Sequence, residues 1–202
     1  MKRIKKILYY SGLLLMLPIK MIIGSIMYSK TYFPKGFWFS SFKSEGWRWV
    51  FPDFFARLFL GKNRGVPWPC SPYVNVGNSN IVFDPDDLDN FQSQGTYYQT
   101  WDAKIYIGYG TYIAQGVGLI TSNHDIANLD MRGKIEDIVI GERCWIGMNS
   151  VILPGIQLAK GTIVGAGSIV TKSVLEENCV VAGNPAKIVK RYNPTKEVID
   201  GF

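Results

Sequence analysis

The chain has a single histidine, His124, so no site that needs two or three imidazoles from one subunit, such as a His-rich zinc centre, can be built within it. Cysteine is also sparse. Cys70, Cys144 and Cys179 are odd in number, without paired or metal-like spacing, which argues against a disulfide scaffold and for a reducing compartment. Only 19% of the 202 residues are charged, but 47% are hydrophobic, so the chain can bury a core and is not a disordered polyelectrolyte. Its length suits one domain, or one domain with an appendage. Acidic residues are nearly missing from the first 70 positions, which hold Glu45 and Asp53 against 12 Lys and Arg. The formal charge of +6 is thus the sum of a +10 N-terminal part and a −4 remainder. Read whole, +6 hints at nucleic acid; read in parts, it indicates an interaction region attached to an ordinary domain and no nucleic-acid partner. Aromatics follow the same division, with 16 of 28 in the first 70 residues.

That N-terminal region lacks a clean membrane span. Lys2, Arg3, Lys5 and Lys6 precede an apolar stretch over 7–28, about 22 residues and roughly 33 Å if helical. Pro18 and Lys20 interrupt it. A lysine at the bilayer centre costs about 2.5–3.5 kcal/mol, and proline tends to break the helix, so two shorter pieces over 7–17 and 21–28 are expected. A small-residue cleavage site is also missing, which counts against a signal peptide. The reading is a re-entrant or in-plane interfacial anchor, with a buried core helix as the alternative. Residues 37–62 (FWFSSFKSEGWRWVFPDFFARLFLGK) interleave Trp38, Trp47, Trp49 and several phenylalanines with Lys43, Arg48, Arg57 and Lys62, the composition of helices that lie among lipid headgroups. Pro52 suits the first turn of a helix there and Gly61 its end, with Phe54, Phe55, Leu58 and Phe59 on one face.

The rest of the chain keeps a period of six. An aliphatic residue returns at Ile140, Ile146, Ile152, Leu158, Val164 and Val170, often followed by a small residue, as in Gly141, Gly147, Ala159 and Gly165. The same phase holds at Ile107-Gly108 and Ile113-Ala114, with weaker echoes at Val76-Gly77 and Trp101-Asp102. Six fits neither an amphipathic helix nor a hairpin. It fits short strands joined by tight turns and wound as a solenoid, each aliphatic stacking inward on the next.

Three segments carry a more specific resemblance: IYIGYGTYIAQGVGLITSNHD (105–125), IVIGERCWIGMNSVILPGIQL (138–158) and VGAGSIVTKSVLEENCVVAGNPAKIVKR (164–191), the last containing the G-N-P-A-K run at 183–187. Over about 72–192 the chain resembles the hexapeptide-repeat acyltransferases, particularly the galactoside, maltose and polysaccharide O-acetyltransferase branch. The resemblance implies a mainly β fold, a left-handed parallel β-helix over 72–192; composition sets a helical membrane-associating region, 1–71, before it, and a tail, 193–202, follows. It also implies a homotrimer with active sites at subunit interfaces, acetyl-CoA as acyl donor and no metal.

The repeat breaks between Ile120 and Ile138, and this insertion carries Ser122-Asn123-His124-Asp125. Moving an acetyl group from a thioester to a hydroxyl needs a base, and imidazole titrates near neutral pH. The resemblance places the catalytic histidine at His124, within its Asn123-His124-Asp125 loop. Asp125 either orients the imidazole or is a turn residue. Asp102 matches an aspartate that contacts the acceptor sugar, and Gln94 falls where relatives carry an asparagine near the acceptor. Met148 and Ala166 align with contacts to the pantetheine arm of coenzyme A, and Lys172, Lys187 and Lys190 with contacts toward its nucleotide end. Trp145 borders the donor or caps a rung. Cys144 stands at a repeat position filled elsewhere by Ser and Thr, so it reads as a packed small side chain and not as a nucleophile. The acidic run Asp84, Asp86, Asp87 and Asp89 reads as a solvated loop. Because acetyl-CoA is cytosolic, the catalytic part is expected on the cytosolic face of the inner or plasma membrane. The acceptor would be a lipid-linked sugar or polysaccharide precursor, with the membrane surface met through residues 1–60. The competing readings are an acetyltransferase for a soluble sugar and a non-catalytic solenoid scaffold.

Overall fold

The computed structural model describes residues 2–194, and side chains from Ser11 onward except Leu13. The chain divides into two compact units, Met1–Pro72 and Tyr73–Phe202. The tail expected over 193–202 lies, from 195 on, outside the described residues, as do the side chains of the basic cluster at 2–6.

The first unit holds two packed helices, α1 (Lys2–Met27) and α2 (Gly46–Leu60). α1 runs unbroken through Pro18, contrary to the expected division into two pieces. Pro18 is exposed, where its ring meets no packed neighbour and only one backbone bond is forgone. Two residues on, the Lys20 ammonium donates to the Trp47 carbonyl at 2.7 Å and fastens α1 to the first turn of α2. Gly24 leaves room for the Phe33 ring, which meets Phe39 and Trp47 edge-on at 4.9 and 5.5 Å. α2 begins six residues before Pro52 and ends, as expected, at Gly61. Its buried side carries Trp47, Val50, Asp53 and Arg57, whereas Phe55, Leu58 and Phe59 of the expected apolar face are exposed. Among the described residues no helix is long and apolar enough to cross a membrane.

The second unit is almost entirely β. Its strands are β1 (Asn75–Val76), β2 (Ile81–Val82), β3 (Tyr97–Gln99), β4 (Ile105–Ile107), β5 (Tyr112–Ile113), β6 (Gly118–Ile120), β7 (Ser122–His124) and β8 (Arg132–Ile135). They continue as β9 (Ile138–Ile140), β10 (Trp145–Ile146), β11 (Val151–Ile152), β12 (Gln157–Leu158), β13 (Ile163–Val164), β14 (Ile169–Val170), β15 (Cys179–Gly183) and β16 (Ala186–Arg191). The chain visits three sheets in rotation. The first is β1-β3-β6-β11-β14, the second β2-β4-β9-β12 and the third β5-β10-β13-β15, closed by antiparallel β16. All other pairings within these sheets are parallel, so successive circuits add strands to the same three sheets, which is a solenoid.

The hexad aliphatics form the interior. Tyr98, Leu119, Ile152 and Val170 stack in the first sheet, Ile107, Ile140 and Leu158 in the second, and Ile113, Ile146, Val164 and Val181 in the third, all buried. Where a small residue follows the aliphatic it has a steric cause: a Cβ on Gly147 would lie 2.5 Å from the Val164 carbonyl of the next rung. The fourth position closes the turn between second and third sheets. Thr111 Oγ1 donates to Gly141 O at 2.8 Å, Cys144 Sγ to Ala159 O at 3.3 Å and Thr162 Oγ1 to Ala159 O at 2.7 Å. Trp101, a weak echo of the hexad, is exposed and forms no rung.

The first circuit has no strand in the third sheet. The segment Pro85–Gln92, a 3-10 turn sequence, takes its place. The buried Asn90 amide donates to Thr111 O at 2.8 Å and accepts from Ile113 N at 2.7 Å, pairing with β5 as a strand's peptide would. Asp87, expected in a solvated loop, is buried and accepts from Gly110 N at 2.9 Å. Burial, with Asp89, Asp84 and Asp86 adding like charge, pushes its carboxyl up to about 6 against the opposing pull of the Gly110 bond. The folded chain therefore holds this proton more tightly than the unfolded chain between roughly pH 4 and 6, and stability falls as pH rises through that window. Asp87→Asn keeps an acceptor for Gly110 and removes the titration. Its stability relative to wild type should start near zero at pH 4 and grow to a maximum by pH 7 in urea titrations; a difference independent of pH would refute the assignment.

Candidate active site

His124 projects from the solenoid on the ribbon β7–β8, which interrupts the circuit between the first and second sheets. The root of the ribbon is fixed by Gln99, whose Oε1 accepts from Ser122 N at 3.0 Å and whose carbonyl accepts from Thr121 Oγ1 at 2.6 Å. Across the ribbon, Gly133 must be a glycine, since a Cβ there would sit 2.6 Å from the His124 carbonyl. The imidazole is exposed, and its Nδ1 lies 2.8 Å from the Leu129 carbonyl. A carbonyl only accepts, so Nδ1 carries the proton and neutral His124 leaves the Nε2 lone pair open to solvent. This is the arrangement a general base requires.

Of the two readings of Asp125, the geometry favours the turn. Its Oδ1 accepts from Ala127 N at 2.8 Å and Asn128 N at 3.0 Å, while the imidazole is oriented by Leu129 O instead of by this carboxylate. Asn123 is exposed on β7 between Ser122 and His124. Asp102 sits at the corner between the first and second sheets and forms an ion pair with Arg132, the residue in register with His124 on β8. Asp102, Arg132 and His124 therefore belong to one cluster, with a carboxylate, a guanidinium and an imidazole around an open surface.

Other candidates lie on other parts of the solenoid. Gln94, Met148 and Ala166 share the ridge between the third and first sheets: Gly116 N bonds Gln94 O at 2.9 Å, Asn149 N bonds Gln115 O at 3.0 Å and Gly167 N bonds Met148 O at 2.8 Å. All three are exposed. Trp145 faces outward on the third sheet, in a row that continues through Ile163 and Val180 to Lys190. Lys187 stands opposite Ala182 on the same hairpin. Lys172 is exposed at the first-to-second-sheet corner, the corner that carries His124. Within one subunit, then, His124, Asp102 and Lys172 occupy one corner and Gln94, Met148 and Ala166 another.

Sequence reasoning overlooked Arg132, Gln99 and the Leu129 carbonyl. Arg132 had a signal: the turn formers Asp125, Asn128 and Asp130 mark a ribbon tip, which sets Arg132 across from His124. A backbone carbonyl has none. Cys144 is no nucleophile, because it is buried and burial pushes its thiol up, away from thiolate. Among the described residues, no three His, Cys, Asp or Glu side chains are grouped to hold a metal ion.

A family profile described as bacterial transferase hexapeptide (six repeats) matches residues 137–172. A Saccharomyces cerevisiae protein named for acetyl transfer is 33% identical over 109 residues, covering 51% of this chain and 54% of that protein. The galactoside O-acetyltransferase of Escherichia coli K12 is 36% identical over 137 residues, covering 66% and 64%. The chain thus spans less than two thirds of the length of these two relatives. WbbJ of Escherichia coli K12, named for O-acetyl transfer in lipopolysaccharide biosynthesis, is 38% identical over 165 residues, covering 68% of this chain and 84% of that protein. Identity at that level across most of a relative's own length, on top of a solenoid with the hexad in phase, makes one assignment: the chain belongs to the hexapeptide-repeat acyltransferase family.

Proposed function

We propose that the chain is an acetyl-CoA-dependent O-acetyltransferase whose acceptor is a sugar hydroxyl of a lipid-linked or polysaccharide precursor at the cytosolic membrane face. The observation that carries it is His124, held at Nδ1 by the Leu129 carbonyl with Nε2 open, on a ribbon that leaves the solenoid beside Asp102. His124 takes the hydroxyl proton as the sugar oxygen bonds to the acetyl carbonyl carbon; the carbon–sulfur bond breaks, and the departing thiolate receives that proton. Arg132 holds Asp102 toward the acceptor and keeps the ribbon in place. Met148 and Ala166 line an exposed ridge suited to an extended pantetheine arm, and Lys187 and Lys190 supply positive charge for phosphates.

Membership of the hexapeptide-repeat family supports a left-handed solenoid, and the placement of Gln94, Met148 and Ala166 on a second ridge supports its assembly as a homotrimer. In it the His124 corner of one copy faces the Gln94–Met148–Ala166 ridge of another, so each active site lies between subunits. The name of WbbJ supports a lipopolysaccharide-type acceptor. The aromatic, +10 N-terminal region supports location at an anionic membrane. The test is kinetic. With acetyl-CoA as donor, kcat/KM on a lipid-linked oligosaccharide in mixed micelles should exceed that on the same free oligosaccharide by at least about tenfold, worth about 1.4 kcal/mol. Equal values would remove the lipid carrier and leave a soluble sugar as acceptor.

A further inference from the structure

The first unit buries charges beside its aromatic core and leaves large apolar side chains outside. Three charged residues lie inside: Lys20 is 6% exposed, Asp53 1% and Arg57 8%. A second set of large apolar side chains, apart from the buried Phe33, Phe39, Trp47 and Trp68, lies outside: Leu15 is 73% exposed, Ile26 81% and Phe59 73%. In water both halves of this distribution are unfavourable. The outward residues are not scattered. On α1, Leu15, Ile19, Ile22 and Ile26 recur at helical spacing as one stripe, and on α2 Phe55, Leu58 and Phe59 do the same. Each stripe is turned away from its own helix's buried side.

The buried charges are closed among the unit's own groups. Lys20 donates to Trp47 O and lies over the Phe51 ring at 5.0 Å. Asp53 accepts from Tyr28 Oη at 2.8 Å and Arg57 Nε at 3.0 Å, and Arg57 also donates to the Val66 and Trp68 carbonyls at 2.6 and 2.8 Å. Ionisable residues of lipid-embedded helices face the bundle interior and pair with one another or with carbonyls, and Lys20, Asp53 and Arg57 do both. The exposed charges of this unit are basic apart from Glu45, which Arg48 neutralises: Lys30, Lys35, Lys43 and Arg64. The two acids of this unit are spent, Glu45 on Arg48 and Asp53 on Arg57.

We infer that this unit is a monotopic anchor that lowers the outward stripes of α1 and α2 into one leaflet of an anionic bilayer. This rests on the membrane-face reading above and specifies how the membrane is met. Over the described side chains the α1 stripe from Leu15 to Ile26 runs about 17 Å, about the depth of one leaflet against roughly 30 Å of hydrocarbon. The basic rim complements anionic headgroups. A second copy laid on the same stripes would set one basic rim against another.

Flotation of the full chain with vesicles tests this. Wild type should float with phosphatidylglycerol-containing vesicles and at least about tenfold less with pure phosphatidylcholine. Ile22→Asp/Ile26→Asp should lower partition into the anionic vesicles by more than about tenfold while circular dichroism and thermal unfolding stay as in wild type. Phe55→Ser/Phe59→Ser, on the other helix, should act in the same direction, so the inference survives a folding defect in either variant alone. If wild type floats and both variants float equally, the insertion faces are wrong and the membrane reading stands. If wild type floats with no vesicle, both fall. A soluble dimer that Ile22→Asp/Ile26→Asp dissociates, without vesicle binding, would assign the stripes to a second copy and overturn the anchor.

Discussion

Replacing His124 with alanine is expected to lower acetyl transfer by about 10²–10⁴-fold while acetyl-CoA still binds. The chain has no second imidazole to take over the proton, so loss of the side chain cannot be covered by a neighbour. Asp102 is engaged by Arg132, and Cys144 is buried as a thiol, which leaves neither as a substitute base or nucleophile. His124→Gln separates position from chemistry: its amide can still donate to the Leu129 carbonyl but cannot accept a proton, and it should be as inactive as alanine. Thiol release from acetyl-CoA in the presence of acceptor reports turnover, and calorimetric titration of acetyl-CoA reports binding. Turnover within about threefold of wild type in either variant would remove His124 as the base.

The solenoid was legible because most rungs share one local rule. One side chain points in, the next is often small, as at Gly147, where a carbonyl of the neighbouring rung lies 2.5 Å from where a Cβ would be, and the fourth holds a corner. A constraint repeated in phase over many rungs leaves a pattern that no single substitution hides. The first circuit was harder to read. There a strand is replaced by Pro85–Gln92, and the Asn90 side chain imitates a peptide group. A buried asparagine that does a strand's hydrogen bonding looks like any polar loop residue in the sequence. Asp87 was misread for the same reason: four acids in six positions suggest solvent, and only the fold shows that one of them serves Gly110.

At the site, the insertion and its histidine were legible as a break in a regular repeat. The partner of that histidine was not. Acid after histidine suggests an orienting carboxylate, yet Asp125 ties the ribbon tip and a carbonyl holds the ring. In the N-terminal unit, Pro18 and Lys20 were read as interruptions of an apolar stretch. Tertiary structure overrides both, because Lys20 finds the Trp47 carbonyl on α2 and so fastens α1 to a neighbour. The buried faces of α1 and α2 were hidden because Lys20, Asp53 and Arg57 lie on them, whereas Leu15, Ile26, Phe55 and Phe59 lie outside.

Those buried charges lead to the largest expected effect on stability. Asp53→Ala should destabilise the first unit by about 3–5 kcal/mol. Among the described residues the carboxylate is the sole counter-charge of the buried Arg57 guanidinium, and it also accepts from Tyr28 Oη. Without it, Arg57 keeps the Val66 and Trp68 carbonyls, which satisfy N–H groups but do not neutralise a charge. Removing both ends is a different matter. Asp53→Leu/Arg57→Met replaces a desolvated pair with apolar volume and should recover much of the loss, because burying two ions offsets most of their mutual attraction. Urea unfolding followed by tryptophan fluorescence reads the correct unit, since Trp38, Trp47, Trp49 and Trp68 are four of the six tryptophans. The order expected in denaturant midpoint is wild type and double variant close together, with Asp53→Ala well below. A double variant no better than Asp53→Ala would mean that the ion pair supplies geometry apolar side chains cannot replace, and the polar interior of this unit would then be required for its fold as well as tolerated by it.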